Sequence, residues 1–436
     1  MDFADLGLSE PLLEAVAKLG YQSPTPIQEK AIPIVLMGRD VLGSAQTGTG
    51  KTASFTLPMI DILASGRAKA RLPRSLILAP TRELAAQVAE SFDNFNAEKR
   101  LSMALLIGGV SFADQETALD RGVDVLIATP GRLLDHVERG KVLLRDVKIL
   151  VIDEADRMLD MGFIPDVERI TGLLPKIRQT LFFSATLDEQ MHGIASRFVI
   201  NPKVVEVARP STTADTVEQS LIRCKPRDKR KSLRALLNSE DISNAVIFCN
   251  RKRDISTLKS SLERHGFSVL ALHGDMTQSA RNEALRQFKA GEVPLLVASD
   301  VAARGLDIEG LSHVFNFDVP SNAEDYVHRI GRTGRAGKSG RAFTLAATDD
   351  DDKYLAAITK LIGKPIDPKQ LADSDVSSAE QVEHKTRSRS DKPYGAKVHK
   401  KDGKKPRQYA DELPMPPDCS GDSFSSSEHV PAFLLR

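Results

Sequence analysis

Residues 45–52 read AQTGTGKT, a glycine-rich turn that ends on a lysine and a hydroxyl. Gly48 and Gly50 let backbone N–H groups turn inward around phosphate oxygens, and the helical pattern that follows presents its positive end to the same anion. Lys51 offers a cation to the β- and γ-phosphates, and Thr52 offers a hydroxyl to Mg²⁺. Ala45 stands where such loops usually open with Gly, and Gln46, Thr47 and Thr49 complete the cradle. About a hundred residues on, the apolar run VKILVIDEAD ends on Asp153 and Glu154. Two carboxylates at the end of a buried strand suit a metal-bound nucleotide, Asp153 holding Mg²⁺ through water and Glu154 orienting or deprotonating an attacking water. Alone, the pair could be a solvated loop; beside a phosphate loop it reads as chemistry.

These groups need a scaffold that brings strand ends to one edge. From about residue 38 to 200 the runs RDVLGSA, SLILAPT, VDVLIAT, VKILVIDEAD and TLFFSAT alternate with helical patterns. Each run is continuously apolar rather than alternating, which predicts strands covered on both faces in a parallel sheet with helical crossovers. A second set, NAVIFCN, SVLALHG, VPLLVASD, HVFNFDV and RAFTLAA, follows from about residue 217, separated by amphipathic stretches such as 253–265 and 280–289. The expected fold is therefore α/β in two tandem parallel-sheet domains, 1–207 and 217–367. Residues 208–216, ARPSTTADT, lack periodicity and read as the linker. From 368 to 436 Ser, Asp, Lys, Pro and Gly predominate, and too little apolar surface remains to offset ordering entropy, so a disordered tail is expected. Its terminal PAFLLR is either a short docking peptide or a chance apolar end.

Composition narrows the setting. A chain of 436 residues with 41% hydrophobic and 27% charged content can build two full cores. Cys224, Cys249 and Cys419 are far apart with no CxxC pair, which argues against a disulfide framework or a cysteine zinc site and for a reducing cytoplasm. The opening MDFADLGLSEP has no basic leader, and no apolar run approaches the ~20 residues a bilayer requires, so neither export nor membrane insertion is expected. Between residues 385 and 407 ten Lys or Arg stand against two Asp, in a chain whose formal net charge is only +1. That basic stretch points to a polyanionic partner, or to a solubilising tail. With aromatics at 5% and no Trp, backbone contacts rather than base stacking should dominate any nucleic-acid grip.

DEAD at 153–156, with AQTGTGKT, PTREL at 80–84, TPGR at 129–132, SAT at 184–186 and HRIGRTGR at 328–335, resembles the DEAD-box family of ATP-dependent RNA helicases. The match runs from about residue 3 to 365 in the family's order, and the short N-terminus and basic tail resemble its bacterial RhlE-like group. The resemblance implies two RecA-like domains, ATP and Mg²⁺ as cofactors, and an RNA-stimulated ATPase that unwinds or remodels short duplexes locally. In GYQSPTPIQ (20–28) it implies that Gln28 hydrogen-bonds the adenine edge while Tyr21 stacks on the ring with Phe3 nearby. A carboxamide offers both a donor and an acceptor to adenine and disfavours guanine.

Only one phosphate loop occurs in two similar units, so the second unit should complete the same site. The resemblance places Arg332 and Arg335 near the γ-phosphate, makes His328 and Arg329 coupling residues, turns Asp307 towards the ribose, and gives Ser184 and Thr186 the link between nucleotide state and closure. From spacing alone the basic Gly-rich turn can also be a plain anion-binding loop. The implied RNA contacts are Pro80, Thr81, Arg82, Gly108, Gly109, Thr129, Pro130, Gly131, Arg132, Arg251, Gln278, Arg281 and Ser299. Ser299 stands where the family often has Thr, and Asn250 and Arg251 where it often has a hydroxyl. Hydroxyls, glycine amides and arginines read backbone rather than bases, so sequence-independent RNA binding is expected. A monomer is expected, with ribosome-assembly or RNA-decay proteins as candidate partners. Two rivals are an RNA-annealing clamp driven by the tail and a DNA-translocating helicase of related fold.

Overall fold

The computed structural model describes residues 1–370 apart from 46–48, 65, 67, 68, 70, 71, 97–100, 208–216, 304–309 and 335–339. Gln46, Thr47, Gly48, Asp307, Arg335, the linker and the tail beyond 370 thus lie outside the described residues.

Two seven-stranded sheets form the framework. The first contains β1 (Val41–Ser44), β2 (Ser75–Leu78), β3 (Met103–Leu106), β4 (Val125–Ala128), β5 (Ile149–Ile152), β6 (Gln179–Ser184) and β7 (Lys203–Glu206), in the order β3-β4-β2-β5-β6-β1-β7. The second contains β8 (Val217–Arg223), β9 (Ala245–Phe248), β10 (Val269–Leu272), β11 (Leu295–Ala298), β12 (His313–Asn316), β13 (Gly340–Ala346) and β14 (Asp367–Pro368), in the order β10-β11-β9-β12-β13-β8-β14. All pairings between these strands are parallel.

The continuous apolar runs are explained by where alternate residues go. Val41, Ile77, Ile127, Val151 and Phe183 enter one core, while Leu42, Leu76, Leu126, Leu150 and Phe182 enter another on the opposite face. The second sheet divides likewise, with Val246, Leu296 and Val314 on one face and Ile247, Val297 and Phe315 on the other. Both faces are covered, so a strand gains nothing from polar alternation. Four strands escaped the sequence reading. β3, β7 and β14 lie at sheet edges, and β7 is exposed at three of its four positions. β8 carries Glu218, Gln219, Ser220 and Arg223 among its apolar residues. β7, β8 and β14 offer no clean apolar run; β3, Met-Ala-Leu-Leu, does, and the sequence reading above omits it.

Strand order decides what meets at the carboxyl edge. β1 lies beside β6, with Ser44 opposite Ser184, and β6 lies beside β5, with Phe182 opposite Ile152. The phosphate loop after β1, SAT after β6 and the carboxylates after β5 therefore emerge side by side. Among the described residues no helix is long and apolar enough to cross a membrane.

Candidate functional site

The helix Lys51–Leu63 starts directly from the loop, with Gly50 at its N-cap. Lys51 Nζ lies 3.1 Å from Asp153 Oδ1, both side chains being almost fully buried. Burial alone would push the Lys51 ammonium down, but Asp153, Glu154 and Asp156 outweigh it and hold it above its ordinary range. Asp153 is pushed up by burial and by Glu154, against the pull of Lys51. Its second oxygen, Oδ2, is buried without a hydrogen-bond partner among the described residues. A sequestered carboxylate oxygen lacking a donor suits a cation or the water bound to one.

Glu154 sits in the left-handed region, at φ 52° and ψ 54°. A non-glycine residue there costs roughly 1–3 kcal/mol, a strain typical of functional turns. The kink separates two adjacent carboxylates: Asp153 Oδ1 accepts from the Glu154 N–H at 2.9 Å, whereas Glu154 Oε2 lies 3.3 Å from Arg157 Nε. Burial would raise the Glu154 carboxyl, but Arg157, Lys51, Arg332 and His328 together hold it below its usual range. It is thus an ionised acceptor in a buried site, the state needed to orient a water.

Two of those four residues, Arg332 and His328, come from the second unit. A cleft of about 450 Å³ is lined by Tyr21, Lys51, Thr52, Asp153, Glu154 and Arg332 among others. His328 Nδ1 approaches Arg157 Nη2 at 3.5 Å. Arg329 does not cross the seam; it binds Asp300 with both ends of its guanidinium at 2.6 Å, and also Asn250 Oδ1 and the Asp318 carbonyl. The segment HRIGR is therefore split between an outward-reaching His328 and Arg332 and an inward anchor.

SAT is tied to the acidic turn through Asp156. Asp156 Oδ2 accepts from the Ala185 N–H at 3.1 Å, and the Thr186 N–H donates to Ser184 Oγ at 3.4 Å. Gln28, buried on the helix Pro26–Leu36, receives the Thr25 N–H at 2.9 Å and donates to the Gly50 carbonyl at 3.0 Å. Among the described residues no other hydrogen bond engages its carboxamide, which has one further N–H and one further lone pair. Tyr21 is half exposed and lies against Phe3 and Phe95, ring centroids 6.4 and 5.9 Å away.

A second cleft, of about 380 Å³, gathers Pro80, Thr81, Arg82, Gly108, Thr129, Pro130, Gly131 and Arg132 from the first unit with Arg281 from the second. Gly109 has φ 80°, and the Arg82 guanidinium lies so near that a Cβ there would collide with it. Arg82 Nη1 also donates to Gln278 Oε1 at 3.1 Å. Arg281 donates through Nε and Nη2 to Glu83 Oε1 at 2.9 and 2.6 Å, with both side chains only 8% exposed. Ser299 is buried and Arg251 is exposed at the N-cap of Lys252–Arg264. Neither lines this cleft. Sequence reasoning missed Glu83, Arg157 and Gln278's seam partner Arg82 as a pair, because their contacts join residues far apart in the chain.

Comparison with known proteins agrees with this geometry. Residues 25–194 match the DEAD/DEAH box helicase family and residues 228–337 match the helicase conserved C-terminal domain. The ATP-dependent RNA helicase CshA of Listeria monocytogenes is 41% identical over 87% of this chain and 72% of its own length. The RNA helicase CrhR of Synechocystis is 44% identical over 87% of this chain and 77% of its own. S. cerevisiae Dbp5 bound to RNA and ADP BeF3 superposes with a TM-score of 0.77 at 31% identity, covering 87% of this chain and 99% of that one. A single-residue variant of S. cerevisiae Dbp5 bound to Nup159, a variant of Gle1, IP6 and ADP gives 0.57. A composite cleft built on one phosphate loop, and relatives alike over most of both chains, lead to one conclusion: the chain belongs to the DEAD-box family of ATP-dependent RNA helicases.

Proposed function

We propose that ATP is hydrolysed at a site completed only when the two units close, and that the same closure strains a bound RNA strand and opens short duplexes. The observation that carries this is Arg332, which reaches from the second unit into the cleft holding Lys51, Asp153 and Glu154. The better superposition on Dbp5 bound to RNA and ADP BeF3 supports a closed arrangement.

Lys51 binds the β- and γ-phosphates, Glu154 orients the attacking water, and Arg332 stabilises charge as the terminal phosphoryl group leaves. Thr52 and Asp153, the latter through water, would hold Mg²⁺, which when bound neutralises phosphate charge. The orphaned Asp153 Oδ2 supports that assignment. Tyr21 and the remaining donor and acceptor of Gln28 read the adenine. Ser184 and Thr186, through the Asp156 link, and His328, through Arg157, connect the nucleotide to closure. RNA runs along the second cleft, held by its backbone through Thr81, Arg82, Gly108, Gly109, Thr129–Arg132, Gln278 and Arg281, with Arg251 and Ser299 extending the path. Because ATP and RNA favour one closed state, each tightens the other. The free thiols Cys224 and Cys249 support a reducing cytoplasm. We assign a monomer that serves ribosome-assembly or RNA-decay complexes. The basic stretch 385–407 supports the RhlE-like group, whereas the relatives above bear the names CshA and CrhR.

RNA-stimulated ATPase assays on Lys51→Ala, Glu154→Gln and Arg332→Ala test the scheme. Lys51→Ala should lose nucleotide binding. Glu154→Gln should bind ATP and RNA together yet turn over at least ~10²-fold more slowly. Arg332→Ala should lose ~10³-fold in kcat while keeping ATP affinity in the absence of RNA. Undiminished turnover in any of the three overturns the roles given.

A further inference from the structure

Behind the RNA-facing cleft lies a buried polar cluster. The helix Phe112–Arg121 begins just after the Gly108–Gly109 turn, and Gln115 on it is buried. Its Nε2 donates to the Ile107 carbonyl at 3.0 Å, at the entrance to that turn. Its Oε1 receives two donors, Arg132 Nε at 3.0 Å and His136 Nε2 at 2.9 Å. Arg132 also donates through Nη2 to the Val110 carbonyl at 2.8 Å, on the far side of the turn. One carboxamide thus ties together the start of the glycine turn, its end through Arg132, and the TPGR segment that follows β4.

The orientation of that carboxamide is fixed by its neighbours. An arginine Nε–H can only donate, so a flipped amide would set N–H against N–H. His136 is fully buried on the helix Pro130–Glu138 and donates from Nε2, leaving Nδ1 unprotonated and without a partner. Burial, and next the Arg132 charge, hold its imidazole below the ordinary histidine range, so it stays neutral. Phe112 supplies a platform: its ring lies 5.0 Å from the His136 ring, with the Arg132 guanidinium 3.2 Å and the Arg139 guanidinium 3.9 Å from its centroid. A guanidinium held over a ring and by two fixed acceptors has lost its rotamer freedom before any ligand arrives.

We propose that Gln115, with its amide direction set by Arg132 and matched by the His136 tautomer, is the positioning residue of the RNA-facing cleft, holding the glycine turn and Arg132 in the geometry that receives a phosphate backbone. The proposal rests on the reading of that cleft as the RNA path. Gln115 itself does not line the cleft, so its effect passes through Arg132 and the Gly108–Gly109 backbone.

The test compares single-stranded RNA affinity, kcat at saturating RNA and KM for ATP in the full chain carrying Gln115→Leu, Gln115→Glu, His136→Phe or Arg82→Ala. Gln115→Leu keeps the volume but removes all three bonds, and should weaken RNA binding about tenfold. Gln115→Glu keeps the acceptor for Arg132 and His136 but loses the donor to the Ile107 carbonyl, and should recover part of that loss. His136→Phe, a smaller change at the same node, should weaken binding about threefold. In all three, kcat at saturating RNA and KM for ATP should stay within about twofold of the parent. Arg82→Ala should weaken RNA binding as a direct contact. If Arg82→Ala weakens RNA but Gln115→Leu and His136→Phe do not, the positioning role is wrong while the RNA path stands. If Gln115→Leu lowers kcat or ATP affinity as much as RNA affinity, with no recovery in Gln115→Glu, the residue is merely structural and the proposal fails. If Arg82→Ala and the Gln115 variants all bind RNA normally, the RNA path itself is wrong.

Discussion

The ion pair between Glu83 and Arg281 yields a quantitative prediction about closure. It joins the two units, both side chains are 8% exposed, and two nitrogens of Arg281 converge on one Glu83 oxygen. Removing one partner of a pair this deeply buried, while its surroundings stay closed, leaves a lone charge at a cost of about 3–5 kcal/mol. The protein can avoid that cost by opening, so in Glu83→Gln the penalty appears as a shift of the closure equilibrium. Even 3 kcal/mol corresponds to more than ~100-fold. Partial retention of a hydrogen bond by the Gln amide oxygen reduces this, and a loss of closure of at least ~10-fold is expected. Dyes placed on exposed residues of the two units would report closure by energy transfer as RNA and a non-hydrolysable ATP analogue are added. Glu83→Gln should need at least ~10-fold more RNA for half-maximal closure, with ATP affinity in the absence of RNA unchanged. The double variant Glu83→Gln/Arg281→Gln should close more readily than additivity of the singles allows, because it leaves no orphaned charge. Closure in Glu83→Gln at the parent's RNA concentration would refute the assignment of this pair as a seam contact.

Two further outcomes test packing and protonation. A Cβ added at Gly43 in β1 would stand 2.5 Å from the ring of Phe183, which is fully buried and sits 5.5 Å from Phe55; Gly43→Ala should cost about 1–3 kcal/mol in urea unfolding, much of it recovered in a Gly43→Ala/Phe183→Leu double variant. His136 and His313 are both held below the ordinary histidine range, chiefly by burial, so the unfolded chain takes up protons near pH 6.5 that the folded one refuses. Stability should therefore fall as pH drops below about 6.5, and the urea midpoint of His136→Phe/His313→Phe should change less between pH 7.5 and 5.5 than that of the parent.

What the sequence discloses is governed by how local the signal is. The phosphate loop, the carboxylates after β5 and the central strands are each written within about ten consecutive residues, since a strand buried on both faces must be apolar throughout. Two of the edge strands carry no such mark: Lys203–Glu206 has only Val205 buried, and Asp367–Pro368 joins the sheet through β8 alone. The seam is least legible. Arg281 meets Glu83 from 198 positions away, and His328 meets Arg157 from 171. Nothing in either stretch foretells its partner. Arg157 reads as an ordinary residue of a short helix until its charge is found beside Glu154. Likewise Gln115 looks like one more polar residue on an amphipathic helix, and only the tertiary fold sets it among Ile107, Arg132 and His136.

The bond from Gln28 to the Gly50 carbonyl has a bearing on redesign. The side chain proposed to choose the base is also a brace for the turn proposed to carry the triphosphate. Replacing it to admit guanine would loosen the anchor as well as the selector, so fuel preference in this enzyme is not a dial that can be turned alone; a GTP-driven version would need a new prop for residue 50 before it needed a new reader for the purine.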